Sequence, residues 1–216
     1  SSGLVGSEMC IRDRRGKIPF HLYPFQEKSI QEFEQNDYNV VLKARQLGIS
    51  TLVAGYSLWM MTFHQDKNIL VIATKQDTAK NLVTKVRVMH ANLPSWLKNM
   101  CVEDNKLSLR YKNGSQIKAV ASSGEAGRSE ALSLLILDEA AFIDKIDTIW
   151  AAAQQTLSTG GQCIALSTPN GVGNWFHRTW ADAEAGTNKF NFIKLHWTVH
   201  PCLLYTSDAA DDQASG

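Results

Sequence analysis

The feature that most constrains this chain is an alternation. Short apolar runs at Tyr38–Leu42 (YNVVL), Asn68–Ala73 (NILVIA), Ser133–Leu137 (SLLIL) and Gln162–Ser167 (QCIALS) are separated by stretches of helical length. Runs so short and so continuous suit strands buried on both faces, and strands alternating with helices form a parallel sheet wrapped by helices. The connecting segments agree. Pro24–Gln35 carries Phe25, Ile30 and Phe33 among polar residues, and Thr51–Phe63 is apolar at helical length. Lys75–Asn92 places Ala79, Leu82, Val83, Val86 and Met89 on one side, and further helices are predicted around Ile146–Leu157 and in the Trp-rich stretch that follows Thr168-Pro169-Asn170-Gly171. Phe190–His196 reads as a last strand. One stretch breaks the pattern: residues 107–120 (LSLRYKNGSQIKAV) alternate with period two about an Asn-Gly, which predicts an inserted antiparallel hairpin.

In such a sheet, ligands sit at the carboxyl ends of the strands. Three polar clusters fall at three strand ends: Lys43–Thr51, Asp138-Glu139 and Ser167-Thr168. The first is Lys43-Ala44-Arg45-Gln46-Leu47-Gly48-Ile49-Ser50-Thr51. A phosphate loop works because backbone N–H groups of a tight turn and the next helix N-terminus surround the phosphate, while Lys neutralises it and Ser or Thr reaches Mg²⁺. Measured against GxxxxGK[ST], the Gly and the Ser are in place, but Ile49 fills the Lys slot and Lys43 or Ala44 the first Gly slot. Taken alone the stretch would equally serve as a helix cap. Lys43, at the opposite mouth of the loop, has a stem long enough to bring its ammonium to the β- and γ-phosphates, and Arg45 offers a second positive charge.

The second cluster is the stronger signal. In LSLLILDEAAFID a buried strand delivers two carboxylates to its end, one suited to the Mg²⁺ shell and the next to polarising the attacking water. These roles fall to Asp138 and Glu139. Ser167-Thr168, in STPNG, occupies the place of a γ-phosphate sensor, although a turn would look the same.

KARQLGIST after a strand resembles the divergent Walker A of phage terminase large subunits, and IATKQDTAKNLV, LSLRYKNGSQIKA and ALSTPNGVGNWF extend the resemblance over roughly 20–201. It is nearest to the contractile-tailed phage type. It implies a P-loop NTPase fold of the ASCE/RecA-like kind: a mostly parallel sheet flanked by helices, with the inserted hairpin. It implies ATP hydrolysis that drives double-stranded DNA into a viral capsid, with ATP and Mg²⁺ as cofactors. The implied partners are DNA, other copies in a ring on the capsid portal, and the small terminase subunit, in the host cytoplasm and with no membrane. By the match, residues 43–51 hold nucleotide, Ser50 is the Mg²⁺-side hydroxyl beside Asp138, and Ser167-Thr168 couples hydrolysis to DNA movement. Tyr23 and Gln26, in YPFQ, take the place of an adenine-reading Q-motif. Arg128 takes that of an arginine acting on a neighbour's nucleotide, a role Arg45 would share in cis. The family's C-terminal RNase H-like nuclease has no counterpart here, because the spaced acidic set such a metal site needs is missing, and no nuclease activity is expected.

Two rival readings share these motifs. One is a helicase-like ATPase that tracks single strands. The other is a nucleotide- or DNA-binding module without catalysis, in which Ile49 marks lost hydrolysis.

The 216 residues suffice for one full α/β domain. Domain reasoning places it at 16–201, because segments 1–15 and 202–216 match neither its periodicity nor its style, and SEMCIRDR and LLYTSDAAD resemble translated adapter sequence. The cysteines at 10, 101, 163 and 202 form no CxxC pair, which argues against zinc and against a disulfide framework. A net charge of +1 leaves any DNA contact to local patches. Lys75, Lys80, Lys85 and Arg87 on one helix, and Lys106, Arg110, Lys112 and Lys118 on the hairpin, form basic faces suited to phosphates or simply to solvent. The six tryptophans read as packing residues.

Overall fold

The computed structural model of the chain describes residues 10–13, 16–122, 131–158 and 160–201. In chain order the elements are β1 (Cys10–Asp13), β2 (Gly16–Pro19), α1 (Pro24–Gln35), β3 (Tyr38–Lys43), α2 (Ile49–Phe63), β4 (Asn68–Ala73) and α3 (Gln76–Ala91). There follow β5 (Cys101–Asp104), β6 (Ser108–Tyr111), β7 (Gln116–Ala121), β8 (Leu134–Asp138), α4 (Ile146–Leu157), β9 (Gln162–Ser167), α5 (Trp175–Glu184) and β10 (Asn191–Leu195).

Eight strands form one sheet in the order β10-β3-β9-β8-β4-β7-β6-β5. The pairings from β10 through β7 are parallel, and β6 pairs antiparallel with both β7 and β5. Along β4, Ile69 and Val71 face one helical layer while Leu70 and Ile72 face the other. That alternation within an unbroken apolar run divides the core in two. On one side Leu52, Leu58 and Met61 of α2 and Leu82, Val86 and Met89 of α3 cover the sheet, and on the other Ile149 and Leu157 of α4 and Trp175 and Phe176 of α5 do so.

The expected hairpin is present, but it is no appendage. Its second strand runs parallel to β4 in full register, from Asn68↔Gln116 to Ala73↔Ala121, so the hairpin widens the main sheet. Its turn places Gly114 at φ +86, and the Gly114 N–H donates to the Tyr111 carbonyl at 3.1 Å. A side chain at Gly114 would lie 1.9 Å from Asp66 Oδ1, so glycine is required both by backbone conformation and by space. The preceding Asn113 docks the turn onto the end of α2, donating from Nδ2 to Met61 O at 2.9 Å and His64 O at 3.2 Å.

Three strands were not anticipated. β5 is mostly exposed and carries CVED, which has no apolar alternation to announce it. β1 pairs with β2 in an antiparallel hairpin that straddles the expected boundary between residues 15 and 16. The tryptophans divide. Trp150 packs on Trp175 at 5.6 Å and Trp180 on Phe192 at 5.5 Å, but Trp96 is 71% exposed and is not a packing residue.

Candidate functional site

Neighbouring strand ends build the site. Register aligns Leu195 with Lys43, Leu42 with Ser167, Leu166 with Asp138, and Asp138 with Ala73. Asp138, Ser167 and Lys43 thus stand at the same sheet edge in a stagger of one residue per strand, and β9 lies between the strand that leads into the loop and the strand that ends in the acidic pair.

The loop from Ala44 to Gly48 returns the chain into α2. Gln46 and Gly48 adopt left-handed conformations, at φ 65 and φ 72. Gly48 caps the helix, its carbonyl accepting from the N–H groups of Thr51 at 3.0 Å and Leu52 at 2.9 Å. Leu47 and Ile49 are buried and anchor the turn from beneath, which fixes Ile49 as a core residue in the slot where a lysine would project. Gln26, also buried, braces the loop from α1: its Nε2 donates to Leu47 O at 3.0 Å, and its Oε1 accepts from Tyr23 N–H at 3.1 Å. Both ends of that amide are therefore engaged within the chain. Tyr23 caps α1, half-buried, with its ring 4.7 Å from that of His200.

Ser50 Oγ donates to Asp138 Oδ1 at 3.4 Å, which brings the first helical turn of α2 to the end of β8. Asp138 is 5% exposed. Burial raises its proton affinity, the neighbouring Glu139 charge adds to this, and Lys43, Lys85 and the Glu139 N–H oppose it.

Glu139 has φ 54, a left-handed conformation costing a non-glycine residue about 1–2 kcal/mol. The turn sends consecutive carboxylates in different directions: Asp138 toward Ser50, Glu139 across to Lys43 and Thr168. Lys43 Nζ donates to Glu139 Oε1 at 2.7 Å, with side chains 9% and 30% exposed. Glu139 Oε2 accepts from the Thr168 N–H at 3.2 Å, the Thr168 hydroxyl at 3.3 Å and the Ser167 hydroxyl at 3.4 Å. Burial works against ionisation of Glu139, but the Lys43 ammonium and the two Thr168 donors outweigh it and hold the carboxyl below its usual range. Two adjacent carboxylates are thus pushed apart in basicity, the pattern expected where one keeps a charge for chemistry and the other waits for a cation.

Behind this cluster, the Ala141 N–H donates to Ser167 Oγ at 3.1 Å and Asn170 Nδ2 donates to Ala141 O at 2.9 Å. Asn174, which caps α5 through His177 N–H, donates in turn to Asn170 O at 2.9 Å. The end of β9 is therefore stitched to the turn after Glu139 and to the start of α5.

Two open cavities flank Lys43. One, of about 230 Å³, is lined by residues 43, 44 and 46–51 together with Lys85. The other, of about 660 Å³, is lined by Lys43, Arg45, Gln46, Thr74, Lys75, Glu139, Phe142, Asp144 and Thr168. Arg45 is exposed there. Arg128 lies outside the described residues.

The structure thus brings residues 43–51, Asp138, Glu139, Ser167 and Thr168 together at one edge of the sheet, and it adds Lys75 and Lys85 to the two cavities there, residues whose helix side was expected to face solvent or DNA. Two signals mark them. Thr74-Lys75 directly follows β4, whose end lies beside Asp138. Lys85 stands three residues after Leu82 and four before Met89, on the flank of a buried stripe. Arg87, by contrast, pairs with Asp104 on the surface. No helix among the described residues is long and apolar enough to cross a membrane.

A family model described as terminase large subunit, T4likevirus-type, N-terminal, matches residues 40–215. Among solved structures, the large terminase of bacteriophage HK97 superposes with a TM-score of 0.71 at 20% identity, over 91% of this chain and 43% of that one. The large terminase ATPase domain of Thermus phage P74-26 gives 0.62 at 22% identity, over 76% and 78%. A large terminase from a thermophilic bacteriophage, solved with ADP, gives 0.62 at 14% identity, over 80% and 44%. Likeness at these identities establishes the fold.

Proposed function

Because the chain belongs to the T4-like-virus type of terminase large subunit and matches its N-terminal part, we propose that it is the ATP-hydrolysing portion of a motor that drives double-stranded DNA into a viral capsid. The observation that carries this reading is the convergence of Lys43, Ser50, Asp138, Glu139 and Thr168 at the carboxyl edge of one sheet. The unit we assign to this work is residues 16–201, acting in the host cytoplasm in a ring of copies on the portal, with the small subunit as a further partner.

The backbone N–H groups at the start of α2 receive the phosphates, and Lys43 and Arg45 supply positive charge. The donor set suits Mg²⁺: Asp138 is a buried carboxylate whose ionised form is under-compensated, and Ser50 Oγ lies beside it. Those two residues would hold the ion, which would supply charge neutralisation for the phosphates. Glu139, ionised at neutral pH, accepts a hydrogen bond from the attacking water and orients it. Its Oε1 also accepts from Lys43. Triphosphate competes for that ammonium, so nucleotide entry frees Oε1 for water. Thr168, bonded to Oε2, registers the change, and Asn170 and Asn174 carry it to α5.

The test is Mg²⁺-dependent phosphate release from ATP by the full 216-residue chain beside Lys43→Ala, with duplex DNA, single-stranded DNA or neither. Turnover lost in the variant and raised more by duplex than by single strands is expected. Failure of the folded wild-type chain to bind ATP would sink the reading.

A further inference from the structure

Lys43 is the loop's own lysine, yet its ammonium is already held by Glu139. The position that would carry a second one holds Ile49, buried in the core and unable to turn outward. Facing the same cavity as Gly48, Ser50 and Thr51 is Lys85, reaching in from α3. It is half-buried, and none of the described carboxylates forms an ion pair with it. Burial lowers its proton affinity, with Asp138 opposing that effect and Lys43 adding to it. An ammonium partly shielded from water and held by no direct ion pair is unfavourable, and its place in the cavity beside the N-terminus of α2 suits an anion.

We propose that Lys85 binds the nucleotide's phosphates, replacing from α3 the positive charge that Ile49 removes from the loop. The proposal rests on reading Lys43–Thr51 as a phosphate loop. It also makes the site a composite of two consecutive strand–helix units, so its charge depends on how α3 packs beside α2.

The experiment titrates the full 216-residue chain with a fluorescent ATP analogue and the matching ADP analogue in Mg²⁺, for wild type, Lys85→Gln, Lys85→Arg and Lys80→Gln. Melting temperatures are measured without nucleotide. Lys85→Gln should weaken both analogues about tenfold or more, Lys85→Arg should stay near wild type, and Lys80→Gln, whose lysine lines neither cavity and pairs with Asp77, should match wild type. The nucleotide-free melting temperature of Lys85→Gln should not fall, because the change removes an unpaired cation. Affinity within about twofold of wild type in Lys85→Gln overturns the proposal and leaves the phosphate loop standing. A lower affinity that comes with a lower melting temperature also overturns it, since Lys85 would then act through the fold. A wild-type chain that binds neither analogue overturns the phosphate loop itself.

Discussion

Replacing Glu139 with Gln changes one atom of the side chain's charge-bearing end and leaves its shape. The cost follows from four contacts. Glu139 presents two acceptor oxygens to four donors: Lys43 Nζ at 2.7 Å on one side, and the Thr168 N–H, Thr168 hydroxyl and Ser167 hydroxyl at 3.2–3.4 Å on the other. Glutamine has one acceptor and one donor. With its oxygen toward Lys43, its NH₂ meets the buried Thr168 N–H, and with the amide flipped, its NH₂ meets an ammonium. The first arrangement is the cheaper, and it still loses a charge-assisted bond and strands a donor, each costing about 1.5–3 and 1–3 kcal/mol. Relief of the burial penalty on the carboxylate offsets part of this. A net loss of about 2 kcal/mol is expected, or a melting temperature lower by roughly 4–8 °C for a chain of this size. Denaturant unfolding at pH 7 measures it. The pH dependence adds a signature. Because folding depresses the Glu139 pKa, its stabilisation is present above the ordinary value of 4.5 and fades as pH falls through the folded value. Wild type and variant should therefore converge in acid. A variant as stable as wild type at pH 7 would mean the Lys43–Glu139–Thr168 network does not hold in solution.

Asp138→Asn should abolish Mg²⁺-dependent turnover while leaving stability equal or higher at pH 7, because folding raises the Asp138 pKa and its ionised form is a cost that grows with pH; thermal melts between pH 4 and 7 check the sign. Gly48→Ala forces a left-handed alanine and a contact of 3.0 Å with Gln26 Nε2, costing about 1–2 kcal/mol, and should weaken nucleotide binding measured by fluorescence titration. Gly114→Ala should destabilise by about 2 kcal/mol or more through φ +86 and the clash with Asp66, with Asp66→Ala in the same chain recovering the clash but not the backbone strain, as read from denaturation midpoints.

Most of the sheet was legible because its strands are buried on both faces and leave no polar residue to blur the run. α4 and β9 span the residues their apolar pattern indicated. β5 escaped because an exposed edge strand has no burial to record in its sequence. The placement of Asp138 and Glu139 at the end of a buried strand was legible from the apolar run that precedes them. Lys85 was harder to pick out: its spacing from Leu82 and Met89 puts it on the flank of the buried stripe, but only packing shows that it lines the cavity at the loop. Gln26 was expected to face adenine, and both of its polar ends are engaged by the loop and by the helix cap. That distinction lies in which partner reaches it first, and a one-dimensional motif does not contain it.

β9 is bonded along its length to β3 on one edge and to β8 on the other. Mechanically it is a beam clamped on both sides: it cannot slide without shearing two ladders at once. On the proposed reading, a strain at Thr168 would meet a ladder on each side and pass into the segment beyond it. The load path would then run outward through residues 169–174 to the capped first turn of α5. A force produced at the phosphates would leave the molecule there, at a hinge whose stiffness is set by the side-chain bonds of Asn170 and Asn174.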